Sequence, residues 1–272
     1  IPSLYNKGPL QTKLNKQINK EFNTNISLSS KIKYNILPTP HFLIEDVKFY
    51  TNELEMPKEL AQIKKLKVFI SQKYFFKKDK IEIVKISLNN ANFSLDGEDL
   101  KFLKEFLENK FSKKKLSINN SKIFYIDDNE DVISIFPIFK LNMFYDEKKT
   151  KNILISKGEL FTIPYLLSWD KNFNNKINST FLKLSKLKIR MENFTDKDKP
   201  NLSIKNFIFF RNLEMETDIL VKKNSIEIKS SDTLNIKNKK LSYSGEIDLN
   251  PFYSYINIEL DKLNFEKDIF GN

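Results

Sequence analysis

The chain has no cysteine, one histidine and only 5 glycines in 272 residues. Without cysteine there is no disulfide, no thiol nucleophile and no thiolate metal site. A cysteine-free chain suits an oxidising compartment such as a periplasm. A single histidine, His41, cannot build a histidine metal cluster. No glycine-rich phosphate loop precedes a helix, and no glycine-flanked nucleophile turn accompanies the many serines and threonines. Arginine is nearly missing as well, since Arg190 and Arg211 are the only two. Bidentate reading of phosphate or guanine favours arginine, which makes a nucleic-acid reader a weak reading of the charge. No apolar run approaches the roughly 20 residues of a membrane-spanning helix.

What is present is lysine, phenylalanine and tyrosine. The net charge is +11, and the aromatic content is 24 Phe and 10 Tyr against 1 Trp. Dispersed lysine reads as a solvated face. It also discourages pairing at exposed sheet edges and gives a weak attraction to anionic surfaces.

The dominant pattern is alternation. Ile26, Leu28, Ile32 and Tyr34 are the apolar set of one segment, and Leu241, Tyr243, Ile247 and Leu249 that of another. A period of two gives strands with one apolar and one wet face. Strands are expected over Asn25–Asn35, Phe42–Tyr50, Ile63–Ile70, Ile81–Leu88, Ala91–Leu95, Leu116–Asn119, Ser121–Ile126, Ile133–Tyr145 and Ile153–Ser156. A connecting stretch, 158–176, is a candidate bend. Beyond it, strands are expected over Ile177–Glu192, Leu202–Phe210, Leu213–Val221, Ser225–Lys229, Leu241–Leu249 and Tyr255–Leu260. The phase slip between Leu184 and Leu187 predicts a bulge or a bend. Turns are expected at Pro38-Thr39-Pro40, at 54–60 around Pro57, at Asn89-Asn90, at the acidic run 127–131 and at 196–200.

Two helices interrupt this pattern. The first spans 9–23, with Pro9 early and Leu10, Leu14, Ile18 and Phe22 in one stripe. The second spans 98–111, with Glu98 and Asp99 in its first turn and an apolar face from Leu100, Phe102, Leu103, Phe106 and Leu107. The expected class is mainly β: one elongated domain over 1–272, built as a long, strongly twisted and curled antiparallel sheet with an N-terminal capping helix and one further short helix.

Little catalytic chemistry accompanies this framework. His41 follows Pro40 and reads as structural. The run 127–131 lacks the spaced ligands, central Gly and terminal Glu of a calcium loop. Asp46, Asp96, Glu98 and Asp99 are explained by turns and caps. The chain is read as a non-enzyme with no cofactor and no bound metal.

The segment from Leu10 to Phe49 resembles the N-terminal region of AsmA-like envelope proteins of Gram-negative bacteria. The resemblance rests on the helix at Leu10–Phe22, a strand over Asn25–Asn35, the Pro38-Thr39-Pro40 segment and the strand Phe42–Phe49. Leu66–Ile70, Ile81–Ile86, Asn89–Leu95 and Leu116–Tyr125 continue the order. It implies a periplasmic protein held at the inner membrane by an anchor upstream of this segment. It further implies a U-shaped β groove related to bridge-like lipid transfer proteins and a role in lipid transport or outer-membrane maintenance. Phospholipid or another acyl lipid, the membrane surface and envelope proteins are then the expected partners. The apolar residues assigned to the groove are Ile26, Leu28, Ile32, Tyr34, Leu66, Val68, Phe93, Leu95, Phe207, Phe209, Tyr243 and Ile247. Lys31, Lys33, Lys65 and Lys67 should point the other way. The competing expectations are a scaffold or assembly protein with a filled β core, and an enzyme built around His41.

Overall fold

The computed structural model describes residues 7–22, 25–28, 31–50, 58–74, 81–127, 129, 131–174, 177–196, 203–210, 213–222, 224–230, 234–236 and 239–260. Of the expected turns, 54–57 and 197–200, with Asp128 and Glu130 of the acidic run, lie outside these residues, whereas Glu59, Leu60 and Asp196 belong to strands. The chain divides into two compact units, Ile1–Phe161 and Thr162–Asn272.

The first unit contains helix α1 (Lys7–Phe22) and strands β1 (Asn25–Ser27), β2 (Ile32–Asn35), β3 (His41–Tyr50), β4 (Glu59–Ile70) and β5 (Ile83–Leu95). Helix α2 (Asp99–Glu108) follows, then β6 (Lys115–Ile126), β7 (Val132–Asp146) and β8 (Lys151–Leu160). Both helices stand where the sequence periodicity puts them. β1 and β2 both pair with β3, and the order then runs β3-β4-β5-β6-β7-β8. Every pair is antiparallel except β5 with β6, which is parallel. A parallel pair needs a crossover, and α2 is that crossover. This pair is the one exception, among the described strands, to the antiparallel pairing that alternation predicts.

Five strands of this sheet share a crease. Asp46, Lys64, Asn90, Asn120 and Phe139 occupy one row in register and drop out of the ladders between flanking paired rows. Asp46, Asn90 and Asn120 have φ of 55°, 56° and 48°, a region that Asn and Asp tolerate better than other side chains. Because each strand adds its residue in the same row, neighbours keep their register while the faces shift by one. Ile44, Leu66, Leu88 and Ile118 face the core before the crease, and Val47, Ile63, Ala91 and Ile138 face it afterwards. The Asn89-Asn90 turn and the break at Asn120 expected from sequence are therefore mid-strand features of β5 and β6. Ser121 repairs the ladder there: its hydroxyl accepts from Ala91 N at 3.0 Å and donates to Asn119 O at 2.9 Å.

α1 lies on the apolar face. Leu10, Leu14 and Ile18 are 6%, 0% and 1% exposed and join one cluster with Phe42, Ile44, Leu66, Val68 and Ile86. Each such aliphatic side chain contributes about 1.5–3 kcal/mol when fully buried.

The second unit contains β9 (Ile163–Asn172), β10 (Ile177–Leu184), β11 (Ile189–Asp196), β12 (Ser203–Phe210), β13 (Leu213–Val221), β14 (Ser225–Ser230), β15 (Leu234–Ile236), β16 (Lys239–Leu249) and β17 (Phe252–Leu260). It is an antiparallel meander, β9-β10-β11-β12-β13-β14-β16-β17, with β15 also on β16. The expected strand Ile177–Glu192 is instead a hairpin. A 3₁₀ turn at Ser185–Leu187 and Lys188, with φ 56°, reverse the chain where the phase slips. The connecting stretch 158–176 holds the end of β8 and the whole of β9.

Within each unit the sheet is open and not strongly curled. No ladder joins β8 to β1 or β2, and none joins β17 to β9, among the described residues. The curled U-shaped groove is thus corrected. In the first unit, the face that such a groove would leave empty carries α1.

Candidate functional site

The residues assigned to a lipid groove do not line one surface. Leu28, Leu66, Val68 and Leu95 are buried at 5%, 0%, 0% and 8% exposure. Ile26, Ile32, Tyr34 and Phe93 pack against the same cluster under α1. In the second unit, Phe207 and Phe209 lie on the opposite face from Tyr243 and Ile247. Register sets Phe207 between Glu192 and Glu216, and Phe209 between Arg190 and Glu214. The guanidinium carbon of Arg190 sits 3.9 Å from the Phe209 ring centroid.

The other face of the second unit is crossed by a polar row of Thr180, Asn193, Asn206, Thr217 and Ser230, one residue per strand. Asn206 and Thr217 are 1% and 0% exposed. Thr217 bonds the Tyr243 hydroxyl, and Tyr243 N donates to Ser230 Oγ at 3.2 Å. Burial raises the Tyr243 pKa, and the Thr217 hydrogen bond offsets part of that rise. Amides and hydroxyls laid across an apolar face interrupt any path for hydrocarbon.

His41 is 5% exposed beside Phe69, ring centroids 5.2 Å apart. Its Nδ1 lies 2.8 Å from Thr39 O and its Nε2 lies 3.3 Å from Asn35 Nδ2, so both nitrogens hold the β2–β3 connection. In the acidic run, Asp127 Oδ1 accepts from the backbone N of Asn129 and Asp131 at 3.0 and 2.9 Å and shapes its own turn. No group of three potential metal ligands occurs among the described residues.

One concave feature was not foreseen. A cleft of about 710 Å³ opens between the end of α1, helix α2 and the start of β6. Phe22, Phe102, Phe106, Phe111, Leu116 and Met143 form its apolar lining. Phe106 stacks on Phe111 at 5.6 Å. Lys20, Glu21, Glu98 and Lys110 bring charge to the lining. Buried Asn152 fixes one wall: its Oδ1 accepts from Phe111 N at 2.9 Å and its Nδ2 donates to Asn109 O at 2.8 Å.

At the other wall, Lys58 ties the start of β4 to the N-terminus of α2. It donates to Asp96 and, at 2.7 Å, to Asp99. Burial opposes the Lys58 charge, but the two carboxylates outweigh it and raise the pKa. Burial likewise opposes the Asp96 carboxylate. The Lys58 hydrogen bond and the backbone donors of Asp99 and Glu98 more than compensate and lower its pKa. Glu21 accepts from Ser112 Oγ at 3.0 Å. Lys58 is matched by Asp96 and Asp99, Glu21 by Ser112 and Lys110 by the Tyr145 ring, and no histidine or cysteine lines the cleft. The only sequence signal for it was the aromatic face of the second helix, which reads equally well as core.

No family model and no curated protein matches this chain. With the sheet uncurled and the face beneath α1 filled, the resemblance to AsmA-like proteins is corrected. The lipid-transport function and the lipid and membrane partners inferred from it are corrected with it. No helix among the described residues is long and apolar enough to cross a membrane.

Proposed function

We propose that the chain is a non-catalytic structural or assembly scaffold with a filled β core and no lipid cargo. The observation that carries this reading is α1, whose Leu14 and Ile18 side chains occupy the space above the sheet where a ligand would have to lie.

The assembly part of the reading rests on β17, which pairs with β16 alone among the described residues. Phe252, Tyr253, Tyr255, Ile256 and Ile258 are 49%, 59%, 48%, 63% and 60% exposed. In a lysine-rich chain this strand has no lysine, the usual guard of an edge. An antiparallel copy centred on Ile256 sets Ser254 against Ile258 and Tyr253 against Glu259, with no like charges opposed. The cysteine-free composition suits a periplasmic location, which is part of the same proposal.

Native mass spectrometry of protein purified without detergent tests the cargo statement. The expected mass is that of the polypeptide or its multiples, and near-stoichiometric phospholipid overturns the reading. Light scattering tests the assembly: Ile256→Lys should lower the particle mass, and a wild-type monomer at all concentrations removes this part.

A further inference from the structure

The face of the first unit opposite α1 carries unneutralised charge in an ordered pattern. Lys85 and Lys115 stand side by side in register on the parallel pair β5 and β6. Lys140 and Lys157 stand opposite each other on β7 and β8. Like charges directly across a ladder destabilise a sheet, yet the arrangement occurs twice on one face. Lys65 and Lys67 of β4 extend it, in register with Asn89 and Ser87. None of these six lysines has an ion pair among the described residues. Glu45, in register with Lys65, and its neighbour Asp46 are engaged by Lys33 at 3.5 Å and Lys31 at 3.8 Å.

Between the lysines lies a neutral hydrogen-bonding ladder. Asn119 Nδ2 donates to Ser87 Oγ at 3.0 Å and Asn89 Oδ1 at 3.2 Å, and Ser117 Oγ donates to Asn142 Oδ1 at 2.8 Å. These bonds fix the side chains while amide and hydroxyl groups keep further donor and acceptor capacity. The backbone positions of paired lysines therefore lie about 4.8 Å apart across strands, and those of Lys65 and Lys67 about 6.8 Å apart along β4, with hydroxyl-matching groups between.

We propose that this face binds an anionic polysaccharide, whose acidic groups lie on Lys65, Lys67, Lys85, Lys115, Lys140 and Lys157 and whose hydroxyls lie on the asparagine–serine ladder. Lysine supplies point charges without the arginine fork that phosphate and guanine recognition uses. Amides and hydroxyls, rather than stacking aromatics, occupy the centre, and Phe69 lies beneath the Lys85 ammonium at 5.4 Å. A base-stacking polymer finds no platform there. Burial lowers the Lys85 pKa, and the nearby Lys115 and Lys140 lower it further. A bound anion relieves both charged neighbours. The inference does not depend on the scaffold reading, because the face is separate from the core under α1.

The test is titration of the whole chain with oligogalacturonate at low salt, with inorganic polyphosphate, oligodeoxythymidylate and anionic vesicles as parallel probes. Oligogalacturonate should bind best. The double variant Lys85→Gln/Lys115→Gln should weaken it by about tenfold or more and should melt no lower than wild type, because a repulsion has been removed. Lys183→Gln/Lys186→Gln removes the same charge from the second unit and should leave affinity nearly unchanged. If the first pair fails to fold, Lys140→Gln/Lys157→Gln supplies the same readout. Absence of glycan binding, equal weakening by both kinds of variant, or tighter binding of any parallel probe overturns the proposal.

Discussion

Ser121 is a small residue with a large structural duty. Its hydroxyl serves a donor on β5 and an acceptor on β6 at the crease, where the regular parallel ladder lapses. Ser121→Ala leaves the Ala91 N–H buried without that acceptor and should lower stability by about 1–3 kcal/mol, read from urea unfolding. The ion cluster at Lys58 makes a prediction in pH. The folded pKa of Asp96 is depressed, so its contribution is present above the unfolded value near 3.9. That contribution is lost as pH falls through the lower folded value. Lys58 has the opposite sense: its raised pKa gives stability below the unfolded lysine value that disappears at higher pH. Asp96→Asn should therefore destabilise at neutral pH and flatten the acid limb of a urea-midpoint profile; a wild-type acid limb in the variant counts against this role. The side chains of Lys58 and Asp96 are 39% and 23% exposed, so solvent screening keeps the effect small.

At the scale of elements, α1 decides what the first sheet is for. Its stripe was readable because Leu10, Leu14, Ile18 and Phe22 recur every four residues. Its target was not, because a stripe specifies a buried face and not the surface that buries it. Leu14→Ala should lose about 2–5 kcal/mol. Lipid uptake by that variant with wild-type stability would show that the helix is a lid and not core. β17 is the complementary case. Alternation predicted a strand over Tyr255–Leu260, and the ladder begins earlier, at Phe252. Gly245 faces it closely: a Cβ there would lie 2.5 Å from Tyr255 O. Gly245→Ala should consequently loosen the β16–β17 pair, measurable as faster amide exchange across Phe252–Leu260.

The two units differ in what they bury. The buried aliphatic and aromatic side chains of the described residues all fall between Leu10 and Tyr145, in the first unit. The deepest groups of the second are polar, chiefly Asn206 and Thr217. Hydrogen exchange on the intact chain should therefore find its slowest amides in β3–β6, with the second unit exchanging faster. Uniform protection across both units would contradict this distribution of core.

Composition and periodicity were enough to specify a mainly β chain, two helices at nearly their observed bounds, most strand positions, and the outward side of Lys33, Lys65 and Lys67. These follow from local physics: a side chain's alternation and a helix's stripe are properties of neighbouring residues. Five things lay beyond that reach. The parallel pairing of β5 with β6 depends on which way α2 crosses. The row at Asp46, Lys64, Asn90, Asn120 and Phe139 is a crease because five strands align, whereas each strand alone shows only a local break. The slip at Leu184–Leu187 gives a hairpin where a bulge would serve the pattern equally well. The apolar face is filled because α1 folds back over it, and Phe207 and Tyr243 part company because register assigns them to opposite sides. Each is settled by contacts between segments far apart in sequence, so a period of two cannot distinguish a groove from a core.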